Sequence, residues 1–172
     1  PFNDSDVYKV IEGAAYSLAL HPDPELDKYL DGVIAKIAAA QEPDGYLYTA
    51  RRLLPPEKMP GMSGRERWSH LVSSHELYNV GHLYEAAVAH FRATGKRTLL
   101  DVALKNADLV CKVFGPADPQ LHEPPGHEEI EIGLVSLYRA SGEKRYLDQA
   151  KYFVELRGQE GTHKLRGAGQ QD

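Results

Sequence analysis

The chain is poor in the residues that build cross-links and membrane spans. Cys111 is its only cysteine, which excludes an intrachain disulfide and a cysteine zinc cluster within these residues. No apolar run approaches the roughly 20 residues that a membrane-spanning helix needs. Positive charge is also in deficit, with 20 Lys and Arg against 25 Asp and Glu and a formal net charge of -5. A nucleic-acid groove or an anionic membrane surface requires clustered Lys and Arg, so neither is expected as a partner. A neutral or polar small molecule suits the composition better. No P-loop, Gly-rich dinucleotide turn or Ser-His-Asp arrangement can be read. The sequence opens at Pro1 without an initiator methionine, a cationic stretch or an apolar leader. No signal peptide is therefore visible, and the expected location is cytoplasmic.

What is present reads as helix. At 42% hydrophobic and 26% charged residues, the chain can bury a real core as one globular unit, which excludes disorder and collagen. Val7, Val10, Ile11, Ala14, Ala15 and Leu18 recur at helical spacing behind Asp4-Ser5-Asp6, where Asp4 and Asp6 read as caps. A second helix with Leu26, Leu30, Val33, Ile34 and Ile37 follows the turn at Pro22 to Pro24. Residues 43–73 lose all periodicity among Pro43-Asp44-Gly45, Pro55-Pro56 and Pro60-Gly61, and loops of that length are functional or disordered. The third helix is expected over 74–93 with Ser73 and Glu76 as a capping box, and its alanines imply burial nearly all round. A fourth over 98–114 carries an outer stripe of Asp101, Lys105, Asp108 and Lys112, a fifth begins at Gly126-His127-Glu128-Glu129, and a sixth spans 146–156.

The pattern repeats. Ala93-Thr94-Gly95 leads to Leu100-Asp101-Val102-Ala103 as Ala140-Ser141-Gly142 leads to Leu147-Asp148-Gln149-Ala150, about 47 residues later. The expected fold is therefore all-α: antiparallel helical hairpins, each pairing an inner helix with an amphipathic outer one. Short turns share one rim, and both long loops, 43–73 and 115–125, share the other. Asp4, Asp6, His75 and His127 all fall on the loop-rich rim. Residues 1–158 read as three hairpins, half of a closed barrel of six, and 159–172 as a truncated connection or tail.

His75, Tyr78 and His82 form one helical stripe. A zincin H-E-x-x-H motif is excluded because position 79 is Asn, and His75 and His82 are too far apart along the axis to share an ion easily. His75, at a helix start on the rim, and His127, behind the constrained Pro124-Pro125-Gly126, are ligand-facing candidates. For His82 a core histidine and a pocket residue stay equally open. Glu128 is a candidate acceptor for a sugar hydroxyl, whereas Glu76 and Glu129 read as first-turn carboxylates favoured by the helix dipole. Trp68 reads as a loop anchor. Cys111 reads as a core residue.

Several strings taken together resemble a known family. Phe2-Asn3-Asp4-Ser5-Asp6-Val7-Tyr8-Lys9, Ala39-Ala40-Gln41-Glu42-Pro43-Asp44-Gly45-Tyr46-Leu47, His75-Glu76-Leu77-Tyr78 with Gly81-His82, Ala86-Ala87-Val88-Ala89-His90, and Pro125-Gly126-His127-Glu128-Glu129-Ile130-Glu131 resemble glycoside hydrolase family 127, typified by bacterial β-L-arabinofuranosidases. The resemblance implies part of an (α/α)6 barrel and hydrolysis of β-L-arabinofuranosides with retention. It also implies a cysteine nucleophile in a zinc site of cysteines and a glutamate, with a second glutamate as acid/base. Those groups belong to the later half of the family's barrel, so zinc would have its ligands outside this chain, in the remainder of its own polypeptide. Only the substrate-lining histidines carry over, onto His75 and His127. The alternatives are a six-hairpin sugar epimerase or polysaccharide lyase, and a non-catalytic helical-repeat binding module.

Overall fold

A computed structural model describes residues 2–157 and 159. Four long helices that the periodicity predicts are present with small shifts of boundary: α1 (Asn3–Leu20), α2 (Pro24–Ala40), α6 (Thr98–Val113) and α8 (Lys144–Leu156). The remaining helices are α3 (Thr49–Leu53), α4 (Leu71–Ser74), α5 (Glu76–Thr94) and α7 (Ile130–Ser141). Among the described residues there is no strand, only an isolated bridge between Phe114 and Leu121. Two layers result. In the inner layer α5 lies between α1 and α7, while the outer helices α2, α6 and α8 back them in sequence. This is the inner-and-outer layering of part of an (α/α)6 barrel.

The core explains the layering. Ile11 and Ala15 of α1, Leu83, Tyr84 and Ala87 of α5, and Leu134 and Leu137 of α7 are buried together with Leu99, Ala103, Tyr146 and Phe153 of the outer helices. Small residues on α5 let neighbours approach from three sides, which is why its sequence lacks a charged face. The turns repeat as well as the helices. Gly95 (φ 73°) and Gly142 (φ 78°) end α5 and α7 in the left-handed conformation, and their N–H groups donate to the carbonyls of Phe91 and Tyr138. Thr94 and Ser141 donate their hydroxyls to the carbonyls of His90 and Leu137, and then accept from the backbone N–H groups of Lys96 and Glu143. At α2 the start is made by Asp23, whose carboxylate accepts from the N–H groups of Glu25 and Leu26, with Pro24 in the first turn.

The segment after α2 corrects the expectation of a structureless loop. It contains α3, two single 3-10 turns at Pro56–Lys58 and Gly61–Ser63, and α4. Its order comes from side chains that reach across the chain. Tyr46, Leu47 and Tyr48 are buried, Asn106 donates to the Gly45 carbonyl (2.8 Å), and Gln41 donates to that of Val102 (2.8 Å). Arg51 donates to the carbonyls of Ser63, Arg65 and Glu66 at 2.6–2.9 Å. Trp68 anchors this segment, edge-on to both Tyr46 and Phe114. The tail expected over 159–172 lies outside the described residues except for Gln159.

Candidate functional site

The long connections meet on one rim, as the hairpin arrangement requires. Asp4 is not a helix cap there. Its carboxylate accepts the Thr49 N–H at 2.9 Å and also the Thr49 hydroxyl, tying α1 to the start of α3. On the opposite rim Lys96, in the turn after α5, donates to Asp27 and Asp31 of α2 at 2.7 Å each.

The expected third helix is broken at its start. His75 takes the left-handed conformation (φ 61°, ψ 16°), ending α4 and beginning α5, a backbone that costs a non-glycine residue about 1–2 kcal/mol. No capping box forms. Ser73 instead donates its hydroxyl to the Met62 carbonyl at 2.9 Å. Glu76 turns inward, is 1% exposed, accepts from the Tyr46 hydroxyl, and pairs with Arg51 at 3.2 Å. Glu76 is thus the buried counter-ion of the side chain that organises the preceding loop, not a carboxylate placed by the helix dipole alone.

The break brings His75 to His127. Their Nε2 atoms are 3.1 Å apart, and His75 Nδ1 lies 2.7 Å from the Ser73 carbonyl oxygen. A carbonyl only accepts, so His75 carries its proton on Nδ1. Burial, with His127 alongside, pushes the His75 pKa below the ordinary histidine value, against the bond to Ser73, which favours the cation. The ring is then neutral at neutral pH and its Nε2 is a bare acceptor. His127 must therefore carry its proton on Nε2 and donate it to His75. Two glycines permit this approach. A Cβ on Gly126 would lie 2.2 Å from the Val72 carbonyl oxygen, and one on Gly81 would lie 2.7 Å from Glu129 Cγ. The turn 126–129 can therefore sit directly on the start of α5, and α7 begins only at Ile130, later than the expected fifth helix.

Tyr78 forms the floor. Its ring centroid is 5.6 Å from that of His75, 5.3 Å from His127 and 4.7 Å from His82, and its hydroxyl accepts from Lys9 Nζ at 2.7 Å. Phe2 packs edge-on to His75 at 5.3 Å. Of the four expected contact residues, the structure brings together His75 and His127. His82 lies one turn deeper, its Nδ1 2.9 Å from Glu129 Oε1, so it is engaged from below rather than in the core. Glu128 faces Arg157 at 3.2 Å, on the side of α8. The helical stripe contained Tyr78 without showing that its ring would lie beneath both histidines. Lys9, from another helix, had no positional signal.

The arrangement presents one N–H donor and one bare nitrogen acceptor to the same point. A hydroxyl group is the ligand that can satisfy both, donating to His75 and accepting from His127.

The sequence matches the family described as "Beta-L-arabinofuranosidase, GH127 catalytic domain" over residues 1–172. The chain belongs to family GH127. It is 46% identical over 159 residues to the non-reducing end beta-L-arabinofuranosidase of Bifidobacterium longum subsp. longum, covering 92% of this chain and 24% of that protein. Among solved structures, it resembles a GH127 beta-arabinofuranosidase with a TM-score of 0.88 and 54% identity, over 91% of this chain and 25% of the other. It also resembles a GH127 beta-L-arabinofuranosidase of Geobacillus stearothermophilus T6 with a TM-score of 0.85 and 47% identity, over 94% of this chain and 24% of the other. The chain thus spans about a quarter of the length of these relatives.

The thiolate zinc set implied by the GH127 resemblance does not fit the residues around Cys111. That thiol packs against the core, lies 3.9 Å from the Arg145 carbonyl, and is pushed up to about 11 by burial and by Asp108. It is neither a ready nucleophile nor a metal ligand. Among the described residues, two groups have donor atoms within 4.8 Å of one another: His82, Glu85 and Glu129, and Asp27, Asp31 and His90. In the second the Lys96 ammonium already pairs with both carboxylates.

Proposed function

We propose that this chain forms the N-terminal half of the (α/α)6 catalytic barrel of a retaining glycosidase acting on β-L-arabinofuranosides, and that His75 and His127 hold a furanose hydroxyl between them. The observation that carries the reading is the direct Nε2 to Nε2 contact of 3.1 Å on the loop-rich rim, combined with the β-L-arabinofuranosidase activity of the GH127 relatives. In the absence of sugar the two rings satisfy each other. With sugar bound, the hydroxyl replaces that single bond by two, and Tyr78 presents an aromatic face beside it. His82 supports Tyr78 from below, and Glu128, held by Arg157, stands outside the immediate pair.

In this reading the residues described here bind and orient the sugar, and the nucleophile and acid/base lie in the remainder of the polypeptide. Zinc held there by cysteines and a glutamate would supply a thiolate at neutral pH. A cytoplasmic location is part of the same proposal.

The test uses a polypeptide as long as the relatives. His75→Ala and His127→Ala are each expected to lower kcat/KM toward an aryl β-L-arabinofuranoside by at least about tenfold, or 1.4 kcal/mol. Unchanged kinetics in both variants would remove the sugar-contact assignment.

A further inference from the structure

Beneath the histidine pair, three ionisable side chains from α5 and the turn before α7 converge. His82 Nδ1 is 2.9 Å from Glu129 Oε1 and 4.0 Å from Glu85 Oε2, and the ligand atoms of all three lie within 4.8 Å of one another. Two carboxylates this close repel unless one of them holds a proton. Burial and the adjacent Glu129 push Glu85 up to about 8. Burial also acts to raise Glu129, but His82 and Glu85 beside it outweigh that and hold it below its ordinary value. The proton therefore resides on Glu85, next to a Glu129 carboxylate that stays ionised against His82. The other charged or titratable groups facing the trio are Lys9, Glu12 and Tyr16 from α1 and Arg92 from α5.

The chain of contacts continues upward. His82 meets the Tyr78 ring edge-on at 4.7 Å, and Tyr78 in turn touches both His75 and His127. Glu129 itself lies two residues beyond His127 and packs on Gly81. The orientation of the rim pair is thus set from below at two points, through Tyr78 and through the backbone of the turn.

We propose that Glu85 is a positioning residue for the sugar site: packed as a neutral carboxyl group beside Glu129, it keeps that carboxylate on His82 beneath Tyr78 and so holds His75 and His127 in register. The proposal rests on the sugar-site reading above. Its chemistry predicts a dependence on pH. When Glu85 ionises, two adjacent carboxylates repel and the support under Tyr78 loosens.

The experiment compares Glu85→Ala and Glu85→Gln with the unsubstituted protein in a polypeptide as long as the relatives, with an aryl β-L-arabinofuranoside as substrate. Glu85→Ala is expected to raise KM about five- to tenfold with kcat within about twofold. Glu85→Gln keeps an N–H donor toward Glu129 and cannot ionise. It should restore KM at neutral pH and lack the rise in KM that the unsubstituted protein shows as pH passes about 8. A Glu85→Gln profile that keeps this alkaline rise overturns the proposal, and so does a KM common to all three proteins. If Glu85→Ala does not fold, the glutamine profile alone decides. An unsubstituted protein that hydrolyses no β-L-arabinofuranoside defeats the functional reading itself. Hydrolysis that is insensitive to both substitutions defeats only the positioning role.

Discussion

A histidine at φ 61° destabilises the local backbone by about 1–2 kcal/mol relative to glycine, and His75 occupies that position where α4 gives way to α5. The ring and the backbone can be separated experimentally. His75→Gly should be more stable than His75→Ala by about 1 kcal/mol in denaturant unfolding, while both lose the same sugar contact in kinetics. Glu76, the next residue, has the opposite character, since its role is structural. Its side chain and that of Arg51 are 1% and 10% exposed, so Glu76→Ala leaves a nearly buried guanidinium without its carboxylate. Such losses cost about 3–5 kcal/mol, measurable as a lowered midpoint of unfolding. The histidines were legible because a helix start and a constrained Pro-Pro-Gly approach are local features. The inward turn of Glu76 was not, because its partners Tyr46, Arg51 and Trp68 are remote in sequence and no periodicity encodes them.

At the level of elements, the seam between α5 and α7 depends on Gly81. Alanine would gain about 1 kcal/mol of helix propensity at an unhindered site. Here its Cβ would lie 2.7 Å from Glu129 Cγ and 2.8 Å from the Glu129 carbonyl carbon, and backbone cannot yield as a side chain tip can. Overpacking of this kind costs about 1–3 kcal/mol, so it prevails. Gly81→Ala is expected to lower the melting temperature and, by lifting the turn 126–129, to raise KM for the sugar. The existence of α1, α2 and α5 to α8 was readable from apolar spacing, as were the turns after α5 and α7 from their Thr-Gly and Ser-Gly pairs. The segment between α2 and α5 was not, because α3 and α4 are five and four residues long, too short for a period. They are held by Arg51 and buried tyrosines rather than by a helical face of their own.

For the molecule as a whole, the paired layers confirm the all-α hairpin reading, and the repeat survives down to matched hydrogen bonds at Gly95 and Gly142. The layering also has a temporal side. Helices α5 to α8 follow one another closely in sequence and pack as neighbours, whereas α1 must find α5 across all of α2 and the long segment behind it. Closing that distance costs chain entropy before any contact rewards it. Helix α1 should therefore join late during folding and leave early. In native-state hydrogen exchange, the amides of its middle turns, around Ile11 and Ala15, are expected to exchange faster than those of Leu83 and Ala87 in α5. Since α1 also carries Lys9, which holds the Tyr78 hydroxyl, the floor beneath the histidine pair would be the last part of this site to form.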